Sequence, residues 1–399
     1  MQFRRIMSHV LEINDLESLA AYRLLWHSML GETEGATFFQ SLDWLELYWK
    51  HFGPQGSGDV EKLRVLIVHG PEKPIGILPL VVRRESKLIG FREWRTVRTL
   101  AYPLHDWGTS YSPLGPNPTA TLLVALRHIQ ETPRDWDVLE FASVEEEHLD
   151  RGRTPRALEQ VNLTAVDQVH DQAAQIDCRV GWEAYWASRT GKHRNNVRRT
   201  ERKLAELGQV EYVRYRPEGS ACGDDDPRWD LFDICVELSE RSWQHQASFG
   251  TTMAHESVRD FLRDVHAAAV RQGAVDINLL YLDGRPVAFT YNYHLHGNVF
   301  GLRMGFDAEL EIDGLGTTLM HRSIRDGFER GDALFDLGPS YLGPKRRWWN
   351  RLVTTRRYTH YPALAWKAQT VRFGRQVRSW LKPARLANRL PTASLSKAR

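Results

Sequence analysis

The chain has 399 residues, enough for two ordinary domains with a core in each. Its 42% hydrophobic and 26% charged residues suit a water-soluble globular protein, and no run of about 18 apolar residues is present to span a bilayer. The net charge of +3 conceals an asymmetry: positions 337–399 hold 15 Lys/Arg and no Asp/Glu, against 38 basic and 50 acidic residues before them.

A segment so one-sided would attract anions, whether coenzyme phosphates, RNA or an acidic membrane face; the alternative is a solvated tail packed on an acidic body. Cys178, Cys222 and Cys235 make an odd count with no C-x-x-C spacing, which argues against a disulfide framework or zinc knuckle and for a reducing compartment. Met1-Gln-Phe-Arg-Arg-Ile-Met7 lacks the apolar stretch of a secretory signal. The expected location is the cytoplasm, with peripheral contact at the inner membrane left open.

The first elements alternate between strand and helix periodicity. Val10–Ile13 reads as a strand and Leu16–Leu30 as a helix, and Ser41 and Asp43 are placed to cap a second helix through His51. Strands follow at Leu63–Val68, Ile75–Val82 and about Trp94–Ala101, then a turn-rich loop over 102–118, a helix over Thr119–Gln130 and a strand over Trp136–Phe141. The second half repeats the order. A helix over Trp182–Leu207 precedes a strand at Val210–Tyr215, an Asp/Gly-rich linker, and helices near Trp229–Trp243 and His255–Gln272. A hairpin over Leu279–Phe289, a strand over Asn298–Phe306, a Gly314-Leu-Gly316 turn, a helix over Thr317–Arg330 and a short strand over Ala333–Asp336 close it. The repetition is one of element order without residue identity, and it predicts duplicated α/β units with mixed sheets.

Several residues suit particular chemistry. A paired-glycine turn opening a helix presents free N–H groups to an anion, with Thr317 and Thr318 adding hydroxyls. Lys345 would stabilise an oxyanion, and Arg346 and Arg347 beside it would hold phosphates; the bland alternative is a solvated basic turn. Asp336 ends an apolar strand, where it would orient Lys345, accept a proton or cap the next turn. On the basic helix, Arg194 and Arg198 lie away from the apolar stripe, where they would meet a nucleotide diphosphate or only solvent. His294-Leu-His296 lacks further ligands at metal spacing, Cys222 has no partnered His, and Trp243 is expected to pack a helix. Trp366–Lys382 reads as a basic amphipathic helix, either lying on an anionic membrane or docked on the second domain, and the residues after Pro391 as disordered.

The order Gln40-Ser-Leu-Asp-Trp44, Lys192-His-Arg-Asn-Asn-Val-Arg-Arg199, Asp283-Gly-Arg-Pro-Val-Ala288, Gly314-Leu-Gly316, Phe335-Asp-Leu-Gly338 and Lys345 resembles the Fem-like branch of the GNAT superfamily. The likeness is in particular to the CelD/BcsL type associated with cellulose and exopolysaccharide gene sets. It implies an α/β (α+β) fold of two tandem GNAT-like domains, each a mixed, mainly antiparallel sheet flanked by helices. The expected boundaries are 1–170, 171–362 and a basic tail, 363–399.

The resemblance further implies an acyltransferase that moves an acyl group, acetyl in the first instance, from acetyl-CoA or another acyl-CoA, without a metal. The acceptor would be an amino or hydroxyl group of a glycan or cell-envelope precursor. Lys345, Asp336 and Asp106 are then the catalytic candidates. Gly314, Leu315, Gly316, Thr317, Arg346 and Arg347 would bind the coenzyme, and Arg194, Arg198, Trp107 and Tyr111 the acceptor. One departure is Glu311, where the GNAT donor loop carries Arg or Gln; a carboxylate there would repel a pyrophosphate. The rivals are an aminoacyl-tRNA-dependent Fem-type transferase and a non-catalytic module that binds a polysaccharide precursor.

Overall fold

The computed structural model describes residues 8–89, 92–105, 107–242, 252–339 and 341–381. Asp106, Trp243 and the residues after Pro391 lie outside the described residues.

In the first half, β1 (His9–Ile13) pairs antiparallel with β2 (Val60–His69), which continues through β3 (Pro74–Ile89) to β4 (Arg92–Ala101). Leu63–Val68 of β2 and Ile77–Val82 of β3 are almost wholly inaccessible because helices cover the sheet. The expected helix over 16–30 is two, α1 (Leu16–Ala20) and α2 (Arg23–Gly31), separated by a turn at Ala21–Tyr22. Ser41 caps α3 (Leu42–Phe52) as expected, its hydroxyl accepting from the Trp44 N–H at 3.1 Å. Next come α4 (Pro118–Glu131), β5 (Val138–Glu145), α5 (Arg153–Gln160) and β6 (Ala165–Asp177).

The second half opens with α6 (Trp182–Ser188) and α7 (Gly191–Leu207). These were expected as one helix; Thr190 divides them by turning its hydroxyl to the His193 N–H at 3.2 Å and starting α7 afresh. Then follow β7 (Val210–Tyr215), α8 (Trp229–Glu240), α9 (Glu256–Arg271), β8 (Val275–Leu282), β9 (Arg285–Leu295) and β10 (Asn298–Phe306). The chain closes with α10 (Leu315–Glu329), β11 (Leu334–Pro339), α11 (Leu342–Lys345), β12 (Arg351–His360) and α12 (Trp366–Leu381).

The fold class is the expected mixed α/β one, a mainly antiparallel sheet flanked by helices. Among the described residues the strands of both halves join in one 12-stranded sheet, in the order β1-β2-β3-β4-β5-β12-β6-β11-β10-β9-β8-β7. Each half has one short parallel pairing, β4 with β5 and β10 with β11. The last strands cross over: β12 lies against β5 of the first half, and β6 lies against β11 of the second. The sequence reading assigned neither β6 nor β12 as a strand, and a boundary at 170/171 falls inside β6. Their sequences, Ala-Val-Asp-Gln-Val-His-Asp-Gln and Arg-Leu-Val-Thr-Thr-Arg-Arg-Tyr, are too polar for the apolar alternation of a half-buried strand.

That crossover redistributes the charge asymmetry. Arg356 of β12 pairs with Glu146 at 2.7 Å, and Glu140 lies 2.8 Å from Arg375, 3.7 Å from Arg83 and 3.8 Å from Arg357. Part of the acid-free segment, β12 with the end of β11, is therefore built into the sheet, and Arg356, Arg357 and Arg375 meet acidic residues of the first half, in line with the packed alternative. Helix α12 docks on the first half, with Ala368 and Val371 packed against Val97, Val138 and Tyr361. The expected docking partner had been the second half. No helix among the described residues is long and apolar enough to cross a membrane.

Candidate active site

Strands β10 and β11 pair only over Asn298–Phe300 and Leu334–Asp336, and beyond that they diverge. At the divergence Gly338 is held at φ +77°, where an added Cβ would be strained and would crowd the Gly301 oxygen at 3.1 Å. On the other side of β10 the register with β9 slips between Gly301 and Arg303, leaving Leu302 as the extra residue of a bulge. The splayed strands open a cavity of about 620 Å³.

The first turn of α10 forms one wall through Leu315, Gly316 and Thr317. Its first N–H groups have no acceptor within the helix, and the helix dipole adds positive potential there. Gly314 makes this turn at φ +93°, pressed so closely on α7 that a Cβ would lie 1.9 Å from Thr200 Cγ2. Among the described residues the wall carries Arg303, Lys345 and Arg347 and no Asp or Glu. A site of this composition fits an anionic ligand of coenzyme size.

Lys345 projects from α11 back over the β11 terminus. Its Nζ donates to the Gly338 carbonyl at 2.9 Å and the Pro339 carbonyl at 2.8 Å, leaving one of three N–H donors for a ligand. Burial pulls its pKa down to about 8, against the opposing pull of Asp336 and Asp171. It therefore stays mostly protonated at neutral pH. Asp336 stands behind this turn and not in the cavity wall. Its carboxylate accepts from Gln175 Nε2 at 2.8 Å and the Gly338 N–H at 2.6 Å, and burial pushes its pKa up. Arg351 on β12 donates to Gln175 Oε1 at 2.9 Å, so both unforeseen strands buttress the lysine.

The first half contributes Trp107, Gly108 and Thr109 to the cavity wall. The Arg303 guanidinium lies 3.8 Å over the Trp107 ring and donates to the Leu302 carbonyl at 2.8 Å. Thus the structure brings together Lys345, Arg347, Trp107 and the Gly314–Thr317 turn.

Other candidates stand elsewhere. Arg346 is exposed outside the cavity wall, as is Arg198, and Arg194 is half-buried and also outside it. Helix α7 touches the site through Thr200 and not through its arginines. Tyr111 is buried in the first half, its ring 4.7 Å from Tyr102, which removes it from any acceptor contact in this cavity. Glu311 is exposed and also outside the wall. His294 faces Asp332 at 3.6 Å, and no metal-binding group of three occurs among the described residues. Sequence reading missed Arg303, Gln175, Thr290 and Asn292. Thr290 and Asn292, alternating in the apolar run of β9, were a legible sign of one polar face.

Residues 191–346 match the family model described as an acetyltransferase (GNAT) domain, and this stretch contains the entire cavity wall except that from 107–109 and 347–348. No curated protein sequence matches the chain significantly. Among solved structures, FemX is similar with a TM-score of 0.57 and 12% identity, over 84% of this chain and 95% of that one. A conserved protein of unknown function from Bacteroides thetaiotaomicron is similar with a TM-score of 0.52 and 10% identity, over 85% and 97%. At these identities the likeness is one of fold.

Proposed function

We propose that the protein is an acyltransferase that moves an acyl group, in the first instance acetyl, from acyl-CoA to an amino or hydroxyl group. The acceptor we propose is a cell-envelope or exopolysaccharide precursor, as the CelD/BcsL resemblance implies. The observation that carries the reading is Lys345, anchored on two carbonyls at the mouth of a β10–β11 wedge with one donor to spare. The α10 N-terminus and Arg347 would hold coenzyme phosphates, and the thioester would supply an activated carbonyl. As negative charge builds on that oxygen, the remaining Lys345 N–H and the backbone at the Leu302 bulge would stabilise it, the lysine by roughly 3 kcal/mol. Asp336 and Gln175 would fix the Gly338 turn on which the lysine is anchored. Arg303 on Trp107 stiffens the wall where the two halves meet, on the acceptor side of this reading.

Thermal melting tests the donor. Acetyl-CoA should raise Tm in a concentration-dependent way, and Lys345→Ala should retain that binding while losing turnover. Steeply salt-dependent binding of charged tRNA without a response to acetyl-CoA would replace this reading by the aminoacyl-tRNA-dependent one. Ligand binding with activity unchanged in Lys345→Ala would remove the lysine from the chemistry.

A further inference from the structure

Helix α12 has two unlike faces. Ala368 and Val371 are buried on the first half, and Arg375 reaches Glu140 at 2.8 Å from the same side. Trp366 and Phe373, two helical turns apart and so on one stripe, remain 55% and 63% exposed on the opposite side. Leu364, just before the helix, is 96% exposed. Arg372 is exposed beside Phe373, and Lys367 is partly exposed beside Trp366. Positions 362–399 hold nine Lys/Arg and no Asp/Glu; Lys367 lies 3.9 Å from Asp137 of the first half, and Arg372 stands exposed at the edge of the apolar stripe.

Water-exposed Trp, Phe and Leu on one stripe cost free energy unless another surface covers them. A cationic rim around an apolar stripe complements an anionic interface that is also apolar beneath. RNA would match the cations but offers nothing to Leu364, which has no ring to stack on a base. We propose that the outward face of α12 docks on an anionic lipid surface. Leu364, Trp366 and Phe373 enter the headgroup–acyl boundary, and Lys367 and Arg372 lie among the headgroups. This surface is separate from the cavity and does not depend on the reaction assigned to it.

Co-sedimentation of the full chain with vesicles tests the proposal. Vesicles of phosphatidylcholine with added phosphatidylglycerol should pellet the protein, and phosphatidylcholine alone should not. The triple variant Leu364→Ser, Trp366→Ser, Phe373→Ser should weaken pelleting by roughly tenfold or more, and Arg372→Glu should weaken it on a chain whose apolar stripe is intact. Unchanged melting would show that each variant is folded. Equal pelleting on neutral vesicles would overturn the proposal, as would loss of binding on removing 382–399 while the triple variant and Arg372→Glu bind normally. Retention of tRNA without any retention by anionic vesicles would overturn it in favour of nucleic acid.

Discussion

Gln175 on β6 donates a 2.8 Å hydrogen bond to the Asp336 carboxylate on β11, joining residues 161 positions apart. The same carboxylate accepts the Gly338 N–H, and Gly338 offers its carbonyl to Lys345. A strand contributed by the first half thus positions a lysine of the second. Gln175→Leu leaves a buried carboxylate short of a donor, which should cost about 1–3 kcal/mol of stability. Lys345 would lose its fixed direction, so kcat should fall about tenfold or more with KM nearly unchanged, measured by steady-state kinetics alongside denaturant melts.

Lys345 makes the site pH-sensitive. In the proposed reaction its charged form is the useful one, and burial lowers its pKa to about 8. Turnover should therefore decline as pH rises through about 8. The stability effect has the opposite sign. Between that value and the ordinary lysine pKa the unfolded chain binds more protons, so this group's contribution to stability rises with pH across the window. Lys345→Met should lower kcat/KM about 100-fold and abolish the alkaline limb in a pH–rate profile.

Gly314→Ala tests the donor turn. The new Cβ would meet Thr200 Cγ2 at 1.9 Å and would stand at φ +93°. Strain and overpacking should together cost at least about 2 kcal/mol and weaken acetyl-CoA stabilisation in melting curves. Adding Thr200→Ala should recover part of the stability by removing the clash, but not the part due to φ.

Glu140 governs acid stability in the central sheet. Its burial would raise the pKa, but Arg375, Arg357 and Arg83 outweigh that and hold it at about 2. The stabilisation is complete above the ordinary glutamate range and is lost as pH falls towards that value. Glu140→Gln leaves three cations around a neutral group; it should cost about 3–5 kcal/mol at neutral pH and flatten the acid limb of a Tm-versus-pH series.

The elements with strong local signals were determined by the sequence itself. The Ser41 cap, the apolar runs of β2 and β3, the β8–β9 hairpin and the Gly314 turn all follow from hydrogen-bonding side chains, periodicity or glycine's freedom at positive φ. Lys345 and Trp107 were recognisable as candidates, and they line one cavity. What only the tertiary structure decided concerns residues far apart in the chain. Strands β6 and β12 pair with each other over a long backbone ladder and carry cross-strand charges such as Arg356–Asp167, so they offer no apolar alternation to read. The Gln175–Asp336 bond, the Arg303–Trp107 stack and the burial of Tyr111 depend on which strands become neighbours. That choice rests on the pairing of whole strands across the chain, whereas a cap or a turn needs only the residues beside it.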